Sequence, residues 1–370
     1  MRTVPVAPGE GPSRSPERTL WFDRDVPLDA AIARERLSAQ LLTARDADGP
    51  VAVVERITAV QAQDPVGFRL AVRARSTTAS SAEVDRCLTD DRSLVVDWLC
   101  RGTLHLVRSE DRAWLHALTT PPLLTSNRRR LEQEGVDPAM AERGVATVSR
   151  ELVTQGPRTR AQLREALDSA GVRTQGQALV HILGAASFAG LCLRGPMVDG
   201  EQAFVDPRDW LGEQRPVDRD AALAELARRY LAGHGPASDR DLAAWSGLGL
   251  RDVRAGLRSV GGLVELGGGL VALRAPQASE LPSPVLLGPF DPVLHGWASR
   301  DWVVGPDEAG VVTSNGLFRP TALVHGAVVA TWRRPGGVVE LMPRDGATIG
   351  RDDQRALDVD RAAVEAWLAG

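Results

Sequence analysis

Two glutamines separated by one alanine, Gln61-Ala62-Gln63, are followed at once by Asp64-Pro65. A glutamine amide cannot take up a proton at neutral pH, but its oxygen accepts hydrogen bonds and its nitrogen donates them. Two such amides at the end of one rigid element could hold a water and aim it at an electrophilic carbon. Positioning of that kind is worth up to about 7–11 kcal/mol in ideal cases. Glutamine at a helix end is ordinarily a solvated side chain or a carbonyl cap, and composition alone assigns this pair nothing more. Asp64 has two readings, a water-binding carboxylate or an Asp-Pro turn, of which the turn is the commoner.

The other chemistry-bearing residues are cations. No lysine occurs in the 370 residues, so all 44 basic side chains are guanidinium groups and no side-chain amine is available. Arg69, Arg73 and Arg75 follow the glutamines at near-helical spacing, and Arg128-Arg129-Arg130 form a triple. Arg158, Arg160 and Arg164 cluster at the start of a predicted helix, and Arg333 and Arg334 precede a Pro335-Gly336-Gly337 turn. Each group alone is ordinarily a solvated face. Together they are candidates for a phosphate-binding groove, because nucleic-acid binding depends on local charge, with the 333–334 hairpin tip a candidate for the minor groove. The formal net charge is -4 and the pI about 5.9, so no global basic field advertises such a partner.

Other classes of site find little support. Cys87, Cys100 and Cys192 are scattered, as expected of reduced, buried thiols in a cytoplasmic protein. The six histidines form no metal-ligand pattern, so neither metal nor cofactor is expected. His105, His116 and His181 read as packed or capping residues, and Trp98, Trp302 and Trp332 as core. No apolar run approaches the roughly 20 residues that span a bilayer, and a monomer is expected.

The elements that must position these groups repeat. Residues 145–167 ("VATVSRELVTQGPRTRAQLREAL") and 222–245 ("ALAELARRYLAGHGPASDRDLAAW") each read as helix, Gly-Pro turn, N-cap and second helix, the caps being Thr159 and Ser238. A third helical stretch and a glycine-turned hairpin follow each copy, the order of a winged helix. A divergent first copy takes "AAIARERLSAQLLT" as helix one, "GPVAVVERITAVQAQ" as helix two and "SAEVDRCLTD" as helix three, which puts Gln61 and Gln63 at a helix end. From Leu281 onward, short β runs punctuated by Pro and Gly predict a small antiparallel unit. The expected fold class is therefore α+β: a flexible tail over 1–24, winged helices over 25–125, 126–215 and 216–280, and a β unit with a final helix over 281–370.

Tandem winged helices followed by "LLGPFDPVLHGWASRDWV" and "LFRPTALVHGAVVATWRR", together with "RGTLHLV" (101–107), resemble the bacterial winged-helix proteins that include the AlkZ-type DNA glycosylases. That branch carries glutamine–aliphatic–glutamine where a sister branch carries aspartate at the third position, and Gln61-Ala62-Gln63 sides with the former. The resemblance implies excision of N7-alkylguanine from double-stranded DNA, extending in some members to interstrand crosslinks made by the host's own antibiotic, with Gln61 and Gln63 as the catalytic pair. The chemistry agrees, since N7-alkylguanine already carries positive charge and leaves without a general acid. The competing readings are a catalytically silent winged-helix transcription regulator and an antibiotic-sequestering protein.

Overall fold

The repeated sequence pattern folds into a repeated element order. The computed structural model describes residues 30–369 apart from Thr78, Ala79, Arg215 and Ala278; the tail expected over 1–24 lies outside the described residues. After α1 (Ala30–Ala39), α2 (Gly49–Ile57) begins with a proline in its first turn and buries the stripe Val53, Val54 and Ile57. It stops at Thr58, whose φ of 72° is incompatible with continued helix. There follow β1 (Val60–Gln61), α3 (Pro65–Arg73), α4 (Ser81–Thr89), β2 (Leu94–Trp98) and β3 (Leu104–Arg108). The glutamines therefore do not end a helix: Gln61 lies on a two-residue strand, with Gln63 two positions beyond it. The three helices of this copy are α2, α3 and α4, not those beginning with α1. A two-residue strand is too short to display an alternating period, so in sequence the apolar stripe of α2 runs straight through it.

Helices α5 (Arg112–Thr119) and α6 (Pro121–Gln133) lead into the second copy: α7 (Pro138–Gln155), α8 (Arg160–Ser169), α9 (Ala178–Phe188), then β4 (Leu193–Val198) and β5 (Glu201–Val205). After α10 (Pro207–Leu211) the third copy has α11 (Arg219–His234), α12 (Asp239–Ser246), α13 (Leu250–Ser259), β6 (Val264–Leu266) and β7 (Leu270–Ala272). In both, one residue after the Gly-Pro turn bridges to the hairpin, Arg158 to Phe204 and Ala237 to Val271. Thr159 and Ser238 then cap the next helix, each in a reciprocal capping box. In the first copy Asp64 takes the cap position, accepting from the amides of Val66 (2.9 Å) and Gly67 (2.7 Å).

The hairpins of the first two copies fuse into one antiparallel sheet, ordered β1-β3-β2-β4-β5, joined where Val96 pairs with Arg194. The third keeps a sheet of its own, β6-β7. The C-terminal part holds β8 (Val285–Leu287), α14 (Asp301–Val304), β9 (Thr321–Val324), β10 (Ala327–Arg333) and β11 (Glu340–Pro343), with α15 (Arg351–Ala369) closing the chain. Its four-stranded antiparallel sheet runs β11-β10-β9-β8, and α15 lays Leu357, Val364 and Trp367 into the core beside it.

Helix α3 and the residues just after it join the first copy to this C-terminal part through two arginines, Arg73 and Arg75. Arg75 is fully buried and makes two hydrogen bonds to Asp291, at 2.8 and 2.7 Å, with further bonds to Ala71 O and Gln40 Oε1. Arg73 reaches Asp360 of α15 at 2.7 Å, and Arg69 pairs with Asp85 of α4. The assignment of Arg69, Arg73 and Arg75 to DNA phosphates is thus overturned, because these guanidinium groups are buried and already matched to carboxylates. Removing one partner of such a pair strands a buried charge, at a cost of about 3–5 kcal/mol, whereas replacing both with apolar groups is often neutral. Asp291→Ala is expected to lower stability in denaturant titration by about that amount, and Arg75→Met/Asp291→Leu is expected to recover much of the loss; equal loss in the single and double variants would argue against a stranded charge.

Candidate active site

The strand, not a helix, explains the spacing of the glutamines. In extended backbone, residues i and i+2 share a face and the residue between them points away; on a helix they would not face each other. Gln61 and Gln63 accordingly meet, the Nε2 of Gln61 donating to the Oε1 of Gln63. Ala62 turns the other way, is 5% exposed and joins the core. Gln61 is buried at 4% exposure while Gln63 is exposed, so the pair runs from the interior to the surface. Two restraints hold the strand. Val60 and Gln61 pair with Leu106 and His105 of β3, and the amide of Ala62 donates to Leu104 O at 2.7 Å. The Asp64 cap then fixes the turn into α3. Asp64 is therefore occupied as a helix cap, in line with the turn reading.

Two residues of the "RGTLHLV" stretch complete the site. Arg101 lies in the turn between β2 and β3 with φ 58°. Its Nη2 donates to Gln61 Oε1 at 3.4 Å, and its Nη1 to the carbonyls of Trp245 and, at 3.4 Å, Ala244 at the end of α12. Burial lowers its pKa from the ordinary guanidinium value. His105 is opposite Gln61 in the ladder and 1% exposed. Its Nδ1 lies 2.9 Å from Thr103 O; a carbonyl only accepts, so Nδ1 carries the proton and Nε2 keeps its lone pair. Burial, and next the Arg101 charge, push the His105 pKa down to about 3. His295, whose Nε2–H donates to Phe290 O at 2.8 Å, is pushed down to about 4 by burial and by the same guanidinium. Both imidazoles are neutral at neutral pH. His105 is packed, as expected, Arg101 was not among the expected residues, and the 101–107 stretch itself is the signal for both.

The other expected residues are dispersed. Arg128, Arg129 and Arg130 are exposed on α6, with Arg130 bonded to Gln133 at 3.1 Å. Arg333 and Arg334 are exposed where β10 turns toward β11, Arg333 paired with Glu340 at 2.8 Å and Arg334 donating to Gly337 O at 3.0 Å. His116 and His181 bond to Ser187 O and Asn127 Oδ1, and Trp98, Trp302 and Trp332 are buried. A surface hollow of about 550 Å³ holds none of these residues; its lining includes Glu110, Glu213, Asp218 and Glu225, carboxylates that repel phosphate. Among the described residues no cluster of His, Cys, Asp and Glu could hold a metal ion, and no helix is long and apolar enough to cross a membrane.

What the arrangement can do is hold a small polar molecule between amides; among the described residues no acid and no carboxylate is hydrogen-bonded to the pair. Comparison with known proteins bears on the reaction. The interstrand DNA cross-link repair glycosylase of Streptomyces sahachiroi is 26% identical over 331 residues, covering 80% of this chain and 85% of that protein. The solved structure of Streptomyces sahachiroi DNA glycosylase AlkZ superposes with a TM-score of 0.74 at 22% identity, covering 92% of this chain and 96% of that one, which establishes a common fold. The profile described as DNA glycosylase AlkZ-like matches residues 54–368, and on that match the chain belongs to the AlkZ-like DNA glycosylase family.

Proposed function

We propose that this protein is a monofunctional glycosylase that hydrolyses the N-glycosidic bond of cationic N7-alkylguanine in duplex DNA, with water as nucleophile and Gln61 and Gln63 as the residues that hold it. The observation that carries this reading is the amide pair itself, one side chain on a fixed strand and one just beyond it, bonded to each other, one buried and one at the surface. Each carbonyl oxygen has two lone pairs, and one on each is engaged. A water donating to the remaining two would present its own lone pair outward, toward an anomeric carbon. Departure of a neutral base would need a proton donor, and His105 and His295 are neutral at neutral pH. A base that is already cationic leaves as a neutral molecule without one. The name of the Streptomyces relative extends the proposal to unhooking interstrand crosslinks.

We read each helix–strand–helix–helix–hairpin copy as a winged helix, with the expected divisions at 125/126, 215/216 and 280/281. The exposed arginines, Arg128 to Arg130 and Arg333–Arg334, remain the proposed phosphate contacts. A silent regulator is the weaker reading, because a regulator has no use for two convergent glutamines anchored to a half-buried guanidinium.

Three outcomes are expected. Replacing Gln61 or Gln63 with Ala lowers the single-turnover excision rate by about ten- to hundredfold, and the double variant loses less than the product of the two factors because the pair acts as a unit; full activity in the double variant sinks the assignment. The enzyme releases N7-methylguanine but not uracil or hypoxanthine, and its rate is flat from about pH 8 to pH 5, since neither histidine takes a proton until the pH nears its depressed pKa; uracil release, or a step near pH 6.5, would reveal a missed acid. Finally, a chain without lysine lacks the side-chain amine used for Schiff-base chemistry, so borohydride added during turnover traps no protein–DNA adduct and the abasic strand stays unnicked until alkali is added.

A further inference from the structure

An amide side chain is nearly symmetric in shape but not in chemistry. Turned by 180° about its last bond, a glutamine exchanges an acceptor for a donor in the same volume. Two glutamines bonded to each other can therefore adopt two orders, with either one as donor, and the orders present different atoms to whatever binds beside them. Only an outside contact that tolerates one end of the amide can choose between them.

Arg101 is such a contact. A guanidinium donates and has no acceptor, so the atom of Gln61 facing its Nη2 at 3.4 Å must be the oxygen. The nitrogen of Gln61 then faces Gln63, and because that nitrogen only donates, the facing atom of Gln63 is again the oxygen. The chain runs in one direction, from Arg101 to Gln61 to Gln63, and leaves each carbonyl with one unused lone pair. Arg101 is itself held. Its other terminal nitrogen donates to the Trp245 carbonyl, and also to Ala244 O at 3.4 Å. Its backbone lies against Gly247, where a Cβ would fall 3.1 Å from the Arg101 amide nitrogen. Among the described residues the hydrogen bonds of the guanidinium are to neutral oxygens, and no carboxylate draws it away from Gln61.

We infer that Arg101 is a positioning residue for the glycosylase reaction, which fixes the orientation of both glutamine amides so that two oxygens, and not an oxygen and a nitrogen, face the attacking water. The inference rests on the reading of Gln61 and Gln63 as the water-holding pair. It assigns the link between the third repeat and the site a chemical purpose, since the end of α12 is what holds the guanidinium in place.

The test is a double-mutant cycle on single-turnover excision of N7-methylguanine from a duplex oligonucleotide, run over a range of enzyme concentrations so that the maximal rate and the half-saturating concentration separate. Arg101→Met is expected to lower the maximal rate about ten- to hundredfold, with the half-saturating concentration changed by no more than about twofold. In the Gln61→Ala background the same substitution should cost less than about twofold, because Arg101 acts through the amide that is gone. Arg101→Lys, a donor without an acceptor, should keep more of the rate than Arg101→Gln, which can face Gln61 with either end; this comparison decides the matter if thermal melting shows Arg101→Met to be unfolded. A full loss on top of Gln61→Ala, an effect confined to the half-saturating concentration, or equal rates for the lysine and glutamine variants would overturn the inference and leave the glutamine reading standing. An unimpaired Gln61→Ala enzyme would overturn both.

Discussion

The seat of α3 depends on a fully buried ion pair, Arg75 to Asp291, and the site depends on the seat of α3. A charge without water is tolerable only beside its counter-charge, so the pair fixes where the first copy lies against the C-terminal part. Backbone packing tightens the same joint. A Cβ on Gly67 would fall 2.2 Å from the Pro289 carbonyl, and one on Gly288 would fall 2.8 Å from the Leu70 Cβ. Only glycine permits that approach. Because α3 begins directly after Gln63 and its cap, a shift at this joint would move the exposed member of the pair first. Asp360 repeats the arrangement from α15, accepting from Arg73 and from the amide of Leu286, so the last helix of the chain also bears on the position of the site.

The electrostatics of the site differ from those of a hydrolase that protonates its leaving group. Around the glutamines lie amides, the neutral imidazole of His105 across the ladder and one guanidinium, whose charge also bears on His295. The carboxylate nearest in sequence, Asp64, is engaged by two backbone amides of α3. Such a site positions and does not exchange protons. On the proposed function, that suits a substrate whose leaving group is activated in advance and two residues that hold water without a titratable proton.

The three copies show how one scaffold carries the candidate glutamine pair in its first repeat. In each, a short extended segment pairs with the hairpin and runs into a capped helix. The residue just before the cap is Arg158 in the second copy, Ala237 in the third and Gln63 in the first. The backbone role is shared, and the chemistry comes from the side chains placed on it. The first copy adds a second glutamine two residues earlier, and the turn of its own hairpin supplies Arg101.

Local sequence was enough for whatever depends on neighbours in the chain. The Gly-Pro turns, the caps at Thr159 and Ser238, the hairpins with glycine turns and the exposed arginine tip at 333–334 are all set by backbone chemistry within a few residues. Gln61 and Gln63 stood out as a candidate pair through a family resemblance, and the structure brings their amides together. What they stand on was not legible in the sequence. An edge strand of two residues has no period of its own, and only pairing with Leu106 and His105, more than 40 residues along, makes it a strand. The α3 arginines were misread for a related reason. A guanidinium on an amphipathic helix looks the same in sequence whether it faces water or a carboxylate, and the carboxylates that bury Arg75 and Arg73 lie 216 and 287 residues away. Sequence therefore determined which side chains could do chemistry, while tertiary structure decided which of them are free to do it, because burial and pairing of charge are set by contacts that no local pattern records.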